Sequence, residues 1–212
     1  MKPAIPLLAL CASAAVAAEV VDWPMYGFGP QRQSLSPTRF ASATLEHVWS
    51  TAEPRTLYAY VEGIPYWSSP CLATVEGQPR VFIGCYDNTV YAFDGHTGKQ
   101  DWAFITGSAV SAAPVYAIVG GRPMLFVASS DRSIFALDPR PGLPSDASRK
   151  LWQFETFAWR GTVNPARMAD PLLAEVDGRP VLFCGVWNNN RSAVENVQRG
   201  EVIALEPATG TP

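Results

Sequence analysis

GQPRVFIGCYDNTVYAFDGHTGKQDW, residues Gly77 to Trp102, is a unit that the chain repeats from Gly121 and again from Gly178. Pro70, Pro114 and Pro171 each stand seven residues before the opening glycine of Gly77-Gln78-Pro79, Gly121-Arg122-Pro123 and Gly178-Arg179-Pro180. Fourteen residues after the first two glycines come Tyr91-Ala92-Phe93-Asp94 and Phe135-Ala136-Leu137-Asp138. The third copy reaches Ile203-Ala204-Leu205-Glu206 after eleven extra residues, which begin in Asn188-Asn189-Asn190. Gly98, Gly142 and Gly210 follow each acid by four residues, and Trp102 and Trp152 end the first two copies, so the underlying period is 44.

A period in the forties belongs to propeller blades or to helical arrays, and residue type decides between them. Val81-Phe82-Ile83, Val90-Tyr91-Ala92-Phe93 and Ile134-Phe135-Ala136-Leu137 are short branched and aromatic runs bounded by Gly, Pro, Asn and Asp, the pattern of strands. Each copy reads as a four-stranded meander, A to D. Its inner strands are apolar on both faces, so each sheet is expected to be covered on both sides, as blades round an axis are. The fold expected is therefore all-β: a β-propeller of four-stranded antiparallel blades with about three blades present. Strand D alternates Trp102 and Phe104 with Asp101 and Ala103, as an outer strand with one wet side does. Its tryptophans are expected to seal blade to blade.

The pattern of an aromatic residue, Ala, an apolar residue and Asp, then three residues, Gly, often Lys, and a Trp resembles the repeats of PQQ-type β-propellers. These occur in quinoprotein dehydrogenases and in the propeller lipoprotein of outer-membrane assembly. Asp22-Trp23-Pro24-Met25-Tyr26-Gly27 resembles the segment that opens many such domains, and the likeness spans residues 22 to 212. In the dehydrogenases it implies PQQ held against an adjacent Cys-Cys disulfide, and calcium bound by a Glu, an Asn and an Asp. This chain has no Cys-Cys pair, so PQQ and calcium enter only through the family and no cofactor is evident from the residues themselves.

Residues 1–18 read as a cleavable leader: Lys2, an apolar stretch from Ile5 to Val16, then small residues through Ala18. The stretch is short for a membrane span. The expected location is the periplasm or the exterior. Leu8-Ala9-Leu10-Cys11 approximates a lipidation signal, but Leu10 stands where a small residue is needed. Residues 19–44 are expected to be an extended segment and 45–212 the repeats. Leu45 to Thr51, with Trp49 in the place of Trp102, reads as a lone strand D, and the third copy stops at its C to D turn, so the expected propeller is incomplete. A formal net charge of −3 with no basic run argues against a nucleic-acid partner.

No catalytic constellation emerges. His47 and His96 have no metal-ligand spacing, and there is no nucleophile elbow or phosphate-binding glycine loop. Asp94, Asp138 and Glu206 could form a ring of acids, but each starts a C to D hairpin, where a carboxylate accepts turn N–H groups. Asp87 and Asp131 fit B to C turns in the same way. Asn190-Arg191-Ser192 is a glycosylation sequon in form only.

Successive strands reverse, so D to A and B to C connections share one rim. Ala52 to Trp67, Thr156 to Met168 and Trp187 to Gly200 are expected as long loops there, and Pro139 to Arg149 as a C to D insertion on the other rim. The candidate interaction surface is Arg55, Tyr58, Tyr60, Trp159, Arg160, Arg167, Asn188, Asn189, Asn190 and Arg191, with an unspecified protein or small ligand as partner. Cys71 and Cys85, seven residues either side of Gln78, could form a disulfide or remain small buried thiols. Three functions fit: an exported binding scaffold, a fragment of a quinoprotein oxidoreductase, or an outer-membrane assembly factor.

Overall fold

The computed structural model describes Pro24 and residues 47–50, 68–156, 167–191 and 196–212. Three four-stranded antiparallel sheets follow one another along the chain. Blade 1 is β1 (Cys71–Val75), β2 (Gln78–Gly84), β3 (Thr89–Asp94) and β4 (Gln100–Ile105), each paired with the next. Blade 2 repeats this with β5 (Val115–Val119), β6 (Arg122–Ser129), β7 (Ser133–Leu137) and, after the one-turn helix α1 (Asp146–Arg149), β8 (Lys150–Glu155). Blade 3 has a strand A in two pieces, β9 (Arg167–Met168) and β10 (Leu172–Val176), then β11 (Arg179–Arg191) and β12 (Asn196–Leu205). Up-down meanders of this kind, with faces buried between sheets, are the blades of a propeller, and these three form part of one.

Two-residue turns close all three A–B hairpins. Glu76-Gly77, Gly120-Gly121 and Asp177-Gly178 all have positive φ, as the type I′ turn that suits twisted strands requires. The pairing Val75↔Gln78 centres the first turn between Glu76 and Gly77. Cys71 therefore lies opposite Phe82, not Cys85, and the disulfide envisaged for a hairpin centred on Gln78 is not made; both cysteines are buried thiols.

Burial shows how the blades stack. Phe82, Val90 and Ala92 of blade 1 pack into one cluster with Leu125, Val127, Phe135 and Leu137 of blade 2. The other face of blade 2, with Phe126, Ile134 and Ala136, packs on Leu182, Cys184 and Leu205 of blade 3. Alternate residues of the central strands thus serve opposite neighbours. Truncating a fully buried Phe such as Phe126 to Ala costs about 3–5 kcal/mol.

The strand-D tryptophans tie the seams as expected. Trp102 of blade 1 donates its indole N–H to Pro139 O of blade 2 at 3.2 Å, and Trp152 of blade 2 donates to Pro207 O of blade 3 at 3.0 Å. Trp49 donates to Gly95 O of blade 1 at 3.0 Å, the place a preceding blade's tryptophan would take. Gly98 and Gly210 lie flat against Trp49 and Trp152; a Cβ on either would come within 2.6 Å of the indole. In blade 2 the insertion after Asp138 carries Gly142 away, and Arg149 stacks over Trp102 at 4.1 Å instead. The Pro24 carbonyl accepts from both Cys71 Sγ at 3.1 Å and Tyr116 N at 2.9 Å, so the opening segment touches the strands A of two blades.

The eleven extra residues of the third copy are not simply a loop. They prolong β11 and β12 as a ladder that runs from Leu182↔Leu205 out to Arg191↔Asn196. The expected loop ending at Met168 likewise finishes in β9, which pairs with β11 at Val186↔Met168 and Trp187↔Arg167.

Candidate functional site

The repeat acids hold turns. Asp94 Oδ1 accepts from His96 N at 3.0 Å, Thr97 N at 2.8 Å and Thr97 Oγ1 at 2.9 Å, while its Oδ2 meets Arg80 Nη1 at 3.0 Å. The Thr97 bonds, more than Arg80, hold this carboxyl below its ordinary range. Burial alone would raise Asp138, but the side-chain and amide N–H groups of Arg140 outweigh it, and its carboxyl also lies below the usual range. Ala208 N approaches Glu206 Oε1 at 3.4 Å. Asp87 and Asp131 accept from Thr89 N and Ser133 N in the B to C turns, and Asp131 also reaches Gly107 N across a connection at 2.7 Å. Each acid thus accepts from the backbone of its own turn.

Among the described residues no group of three or more His, Cys, Asp or Glu side chains could hold a metal ion. The described cysteines, Cys71, Cys85 and Cys184, are buried at separate places. Burial pushes the Cys85 thiol up to about 11 and the Cys184 thiol up to about 12, so neither is an activated nucleophile. These residues do not fit a PQQ and calcium site. His47 and His96 are exposed.

The rim offers more. Arg167 and Met168, at the end of the D to A connection, pair with Trp187 and Val186 of β11, where the inserted hairpin begins. Arg167 pairs with Trp187 across β9 and β11, and its guanidinium carbon lies 5.8 Å from the Trp187 ring centroid. The ring is 37% exposed. Between these strands and β12 opens a mainly apolar cleft of about 440 Å³, walled by Met168, Val186, Trp187, Gly200 and Val202, with Arg167 and Glu201 as its charged lining residues. Its chemistry suits an apolar or aromatic group with a polar end able to meet both the Arg167 cation and the Glu201 carboxylate.

Of the expected rim, Arg167 lies at this cleft, and the backbone of Asn188, Asn189, Asn190 and Arg191 continues β11 beyond it. Arg55, Tyr58, Tyr60, Trp159 and Arg160 lie outside the described residues. Trp187 was missed as a site residue. The available signal was a lone tryptophan at the start of the Asn-rich insertion, away from the strand-D positions of Trp102 and Trp152.

No helix among the described residues is long and apolar enough to cross a membrane. A search of curated proteins gives no match. Among solved structures the chain is similar to quinohemoprotein alcohol dehydrogenase from Comamonas testosteroni, at 17% identity and a TM-score of 0.56, over 90% of this chain and 26% of that one. It is also similar to a europium-containing methanol dehydrogenase, at 18% identity and a TM-score of 0.52, over 90% of this chain and 31% of that one. BamB from Moraxella catarrhalis matches at 22% identity and a TM-score of 0.45, over 71% of this chain and 37% of that one. The chain therefore spans well under half the length of each, and the likenesses to the two dehydrogenases bear on the fold. A family model described as outer membrane protein assembly factor BamB, built on PQQ-type repeats, matches residues 23–181, and with that match running through the first two blades and into the third, the chain belongs to this family of PQQ-like β-propellers.

Proposed function

We propose that this chain forms part of an exported propeller that acts as a scaffold and binds another protein at the rim carrying the β11–β12 hairpin. The observation that carries this reading is the pairing of Arg167 with the half-exposed Trp187 at the mouth of an apolar cleft. Arg and Trp are the residue types that anchor interfaces, and here both sit on strands, which hold them in place without a partner. The leader-like residues 1–18 support export. The description of the family as an outer membrane assembly factor supports a protein partner rather than a reaction. Tyr58, Tyr60, Trp159 and Arg160 would extend the same surface from their connections.

The test is to place a photo-crosslinking amino acid at position 187 of the exported full chain and irradiate it in the bacterial envelope. Discrete protein adducts that are lost with Arg167→Ala are expected. Adducts no more abundant than from a control at Val176, together with a rise in melting temperature on adding PQQ and calcium, would sink the scaffold reading in favour of a quinoprotein fragment.

A further inference from the structure

Blade 2, which has a described blade packed on each face, carries a pair of arginines that its neighbours lack. Arg122 follows the Gly120-Gly121 turn at the start of β6, and Arg140 stands two residues after Asp138, where the C to D insertion begins. The same places hold Gln78 and His96 in blade 1 and Arg179 and Ala208 in blade 3, so of the three copies this one alone has arginine at both. Both Nη2 atoms face Asp138 Oδ2, that of Arg140 at 2.6 Å and that of Arg122 at 4.0 Å.

Asp138 is committed to one of the two. Its buried carboxylate accepts from Arg140 Nε at 2.9 and 3.2 Å, from Arg140 Nη2 at 2.6 Å and from Arg140 N at 3.1 Å. Arg149 clamps the same turn by donating from Nη1 to the carbonyls of Asp138 and Arg140. Arg140 is thereby held in place without a ligand, and its Nη1 makes no hydrogen bond among the described residues. Arg122, at 4.0 Å, is beyond hydrogen-bond distance from Asp138. Its side chain is 57% exposed and that of Arg140 42%, so both guanidinium groups can be reached from solvent.

Charge decides what bridges them. The carboxylates that act on the pair are Asp138 and, more weakly, Glu76 from the A–B turn of blade 1. Against these stand the cations of Arg122, Arg140 and Arg149, which leaves one positive charge in surplus. A carboxylate matches that surplus and fits a guanidinium fork through two parallel bonds. A phosphate group, with about two negative charges, would leave one uncompensated beside Glu76. So exposed a pair holds a lone small acid weakly. A peptide brings further contacts, and half-buried Pro141 and Leu143, next along the insertion, offer apolar surface for them. We propose that Arg122 and Arg140 form a carboxylate-binding site on the rim of the C to D turns, beside the A–B turn of blade 1, and that it takes an Asp or Glu side chain from an acidic peptide segment of a partner. The site shares no residue with the Trp187 rim and does not rest on the reading given for it.

The test uses the full chain and a short fluorescein-labelled peptide holding two glutamates and a leucine, beside the same peptide with glutamine for glutamate, read by fluorescence polarisation. The glutamate peptide is expected to bind about 10-fold more tightly than the glutamine peptide, and more weakly as salt rises. Arg122→Gln is the cleaner variant, because the Arg122 side chain makes no hydrogen bond among the described residues. It should weaken the glutamate peptide roughly 10-fold with the melting temperature unchanged, and Arg122→Lys should recover part of the affinity. Arg140→Gln also strips Asp138 of its cation, so it should lower the melting temperature as well as the affinity. Equal binding of the two peptides, or binding indifferent to Arg122→Gln, would overturn the site. Displacement of the glutamate peptide by an equal concentration of acetate would overturn a peptide as its occupant.

Discussion

The guanidinium of Arg149 covers the ring of Trp102 at 4.1 Å, taking the place that Gly98 and Gly210 hold against Trp49 and Trp152. Arg149 is 2% exposed, and its Nη1 donates to Asp138 O and Arg140 O at 2.7 Å each. One side chain thus fastens the inserted C to D connection of blade 2 and caps the seam from blade 1. Arg149→Ala is expected to destabilise the chain by about 3 kcal/mol, because it leaves buried carbonyls without their donor and removes a desolvated cation–π contact. Arg149→Lys should recover only part of this, since an ammonium lacks the planar fork. Urea denaturation of the three proteins decides it.

The seam hydrogen bond separates from seam packing by substitution at Trp102. Trp102→Phe keeps an aromatic ring against Phe82, 5.7 Å away between centroids, but loses the bond to Pro139 O. A cost of about 1 kcal/mol is expected for the bond, against about 4 kcal/mol for Trp102→Ala. A Trp102→Phe variant as stable as the parent, measured by chemical denaturation, would show that the indole N–H contributes little.

Gly98 and Gly142 each stand four residues after a repeat acid, with φ of +69° and +74°, yet of the two only Gly98 has an indole pressed on it. Alanine at Gly142 is expected to cost about 1 kcal/mol of backbone strain. At Gly98 the same strain is joined by displacement of Trp49. Gly98→Ala is therefore expected to lower the melting temperature more and to shift tryptophan fluorescence to the red, whereas Gly142→Ala leaves the emission unchanged.

Asp138 gives the acid response a defined sign. Its carboxyl lies below the ordinary 3.8 in the folded chain, so the folded state binds this proton less readily than the unfolded state does. The stability it contributes is present above about pH 4 and is lost as pH falls through the folded value. Asp138→Asn should be less stable than the parent at pH 7, with a shallower loss of stability between pH 4 and pH 2. Parallel pH profiles for the two proteins would remove Asp138 from the account.

Cys184, with its thiol pushed up to about 12, is expected to resist iodoacetamide at pH 8 until the chain unfolds. Relative to an ordinary thiol at 9.0, its thiolate fraction falls roughly 1,000-fold, before any effect of access. Mass spectrometry after native and denaturing alkylation measures the ratio, and the same digest recovers Cys71 and Cys85 as thiols.

The blades were legible because they are written more than once: shared spacing of Gly, Ala, acid and Trp located strands, turns and seams without knowledge of any contact. Register was harder. Centring the first hairpin on Gln78 rather than between Glu76 and Gly77 put Cys85 where Phe82 belongs, since a small shift of a turn moves every cross-strand pair. The Asn-rich insertion read as a loop because Asn disfavours strands, yet its backbone continues the β11–β12 ladder out to Arg191↔Asn196. Arg149 was invisible as a seam residue, because its ring partner lies in the preceding blade and the repeat assigns that place to a glycine. At the candidate site, Arg167 pairs with Trp187 at the start of the insertion, but Trp187 had no counterpart in the other copies to mark it.

The acceptor in each tryptophan seam is a main-chain carbonyl, of Gly95, Pro139 or Pro207. A carbonyl is present whatever residue occupies the position, so the receiving blade offers this bond from its backbone alone and needs beside it only a residue that leaves the indole face open, as Gly98 and Gly210 do. Specificity between neighbours is correspondingly low, and interchangeability high. Gene duplication, unequal crossing-over or grafting of a blade from a relative would leave such seams intact as long as the donor tryptophan travelled with its strand, while rims such as the one around Trp187 remain free to diverge copy by copy.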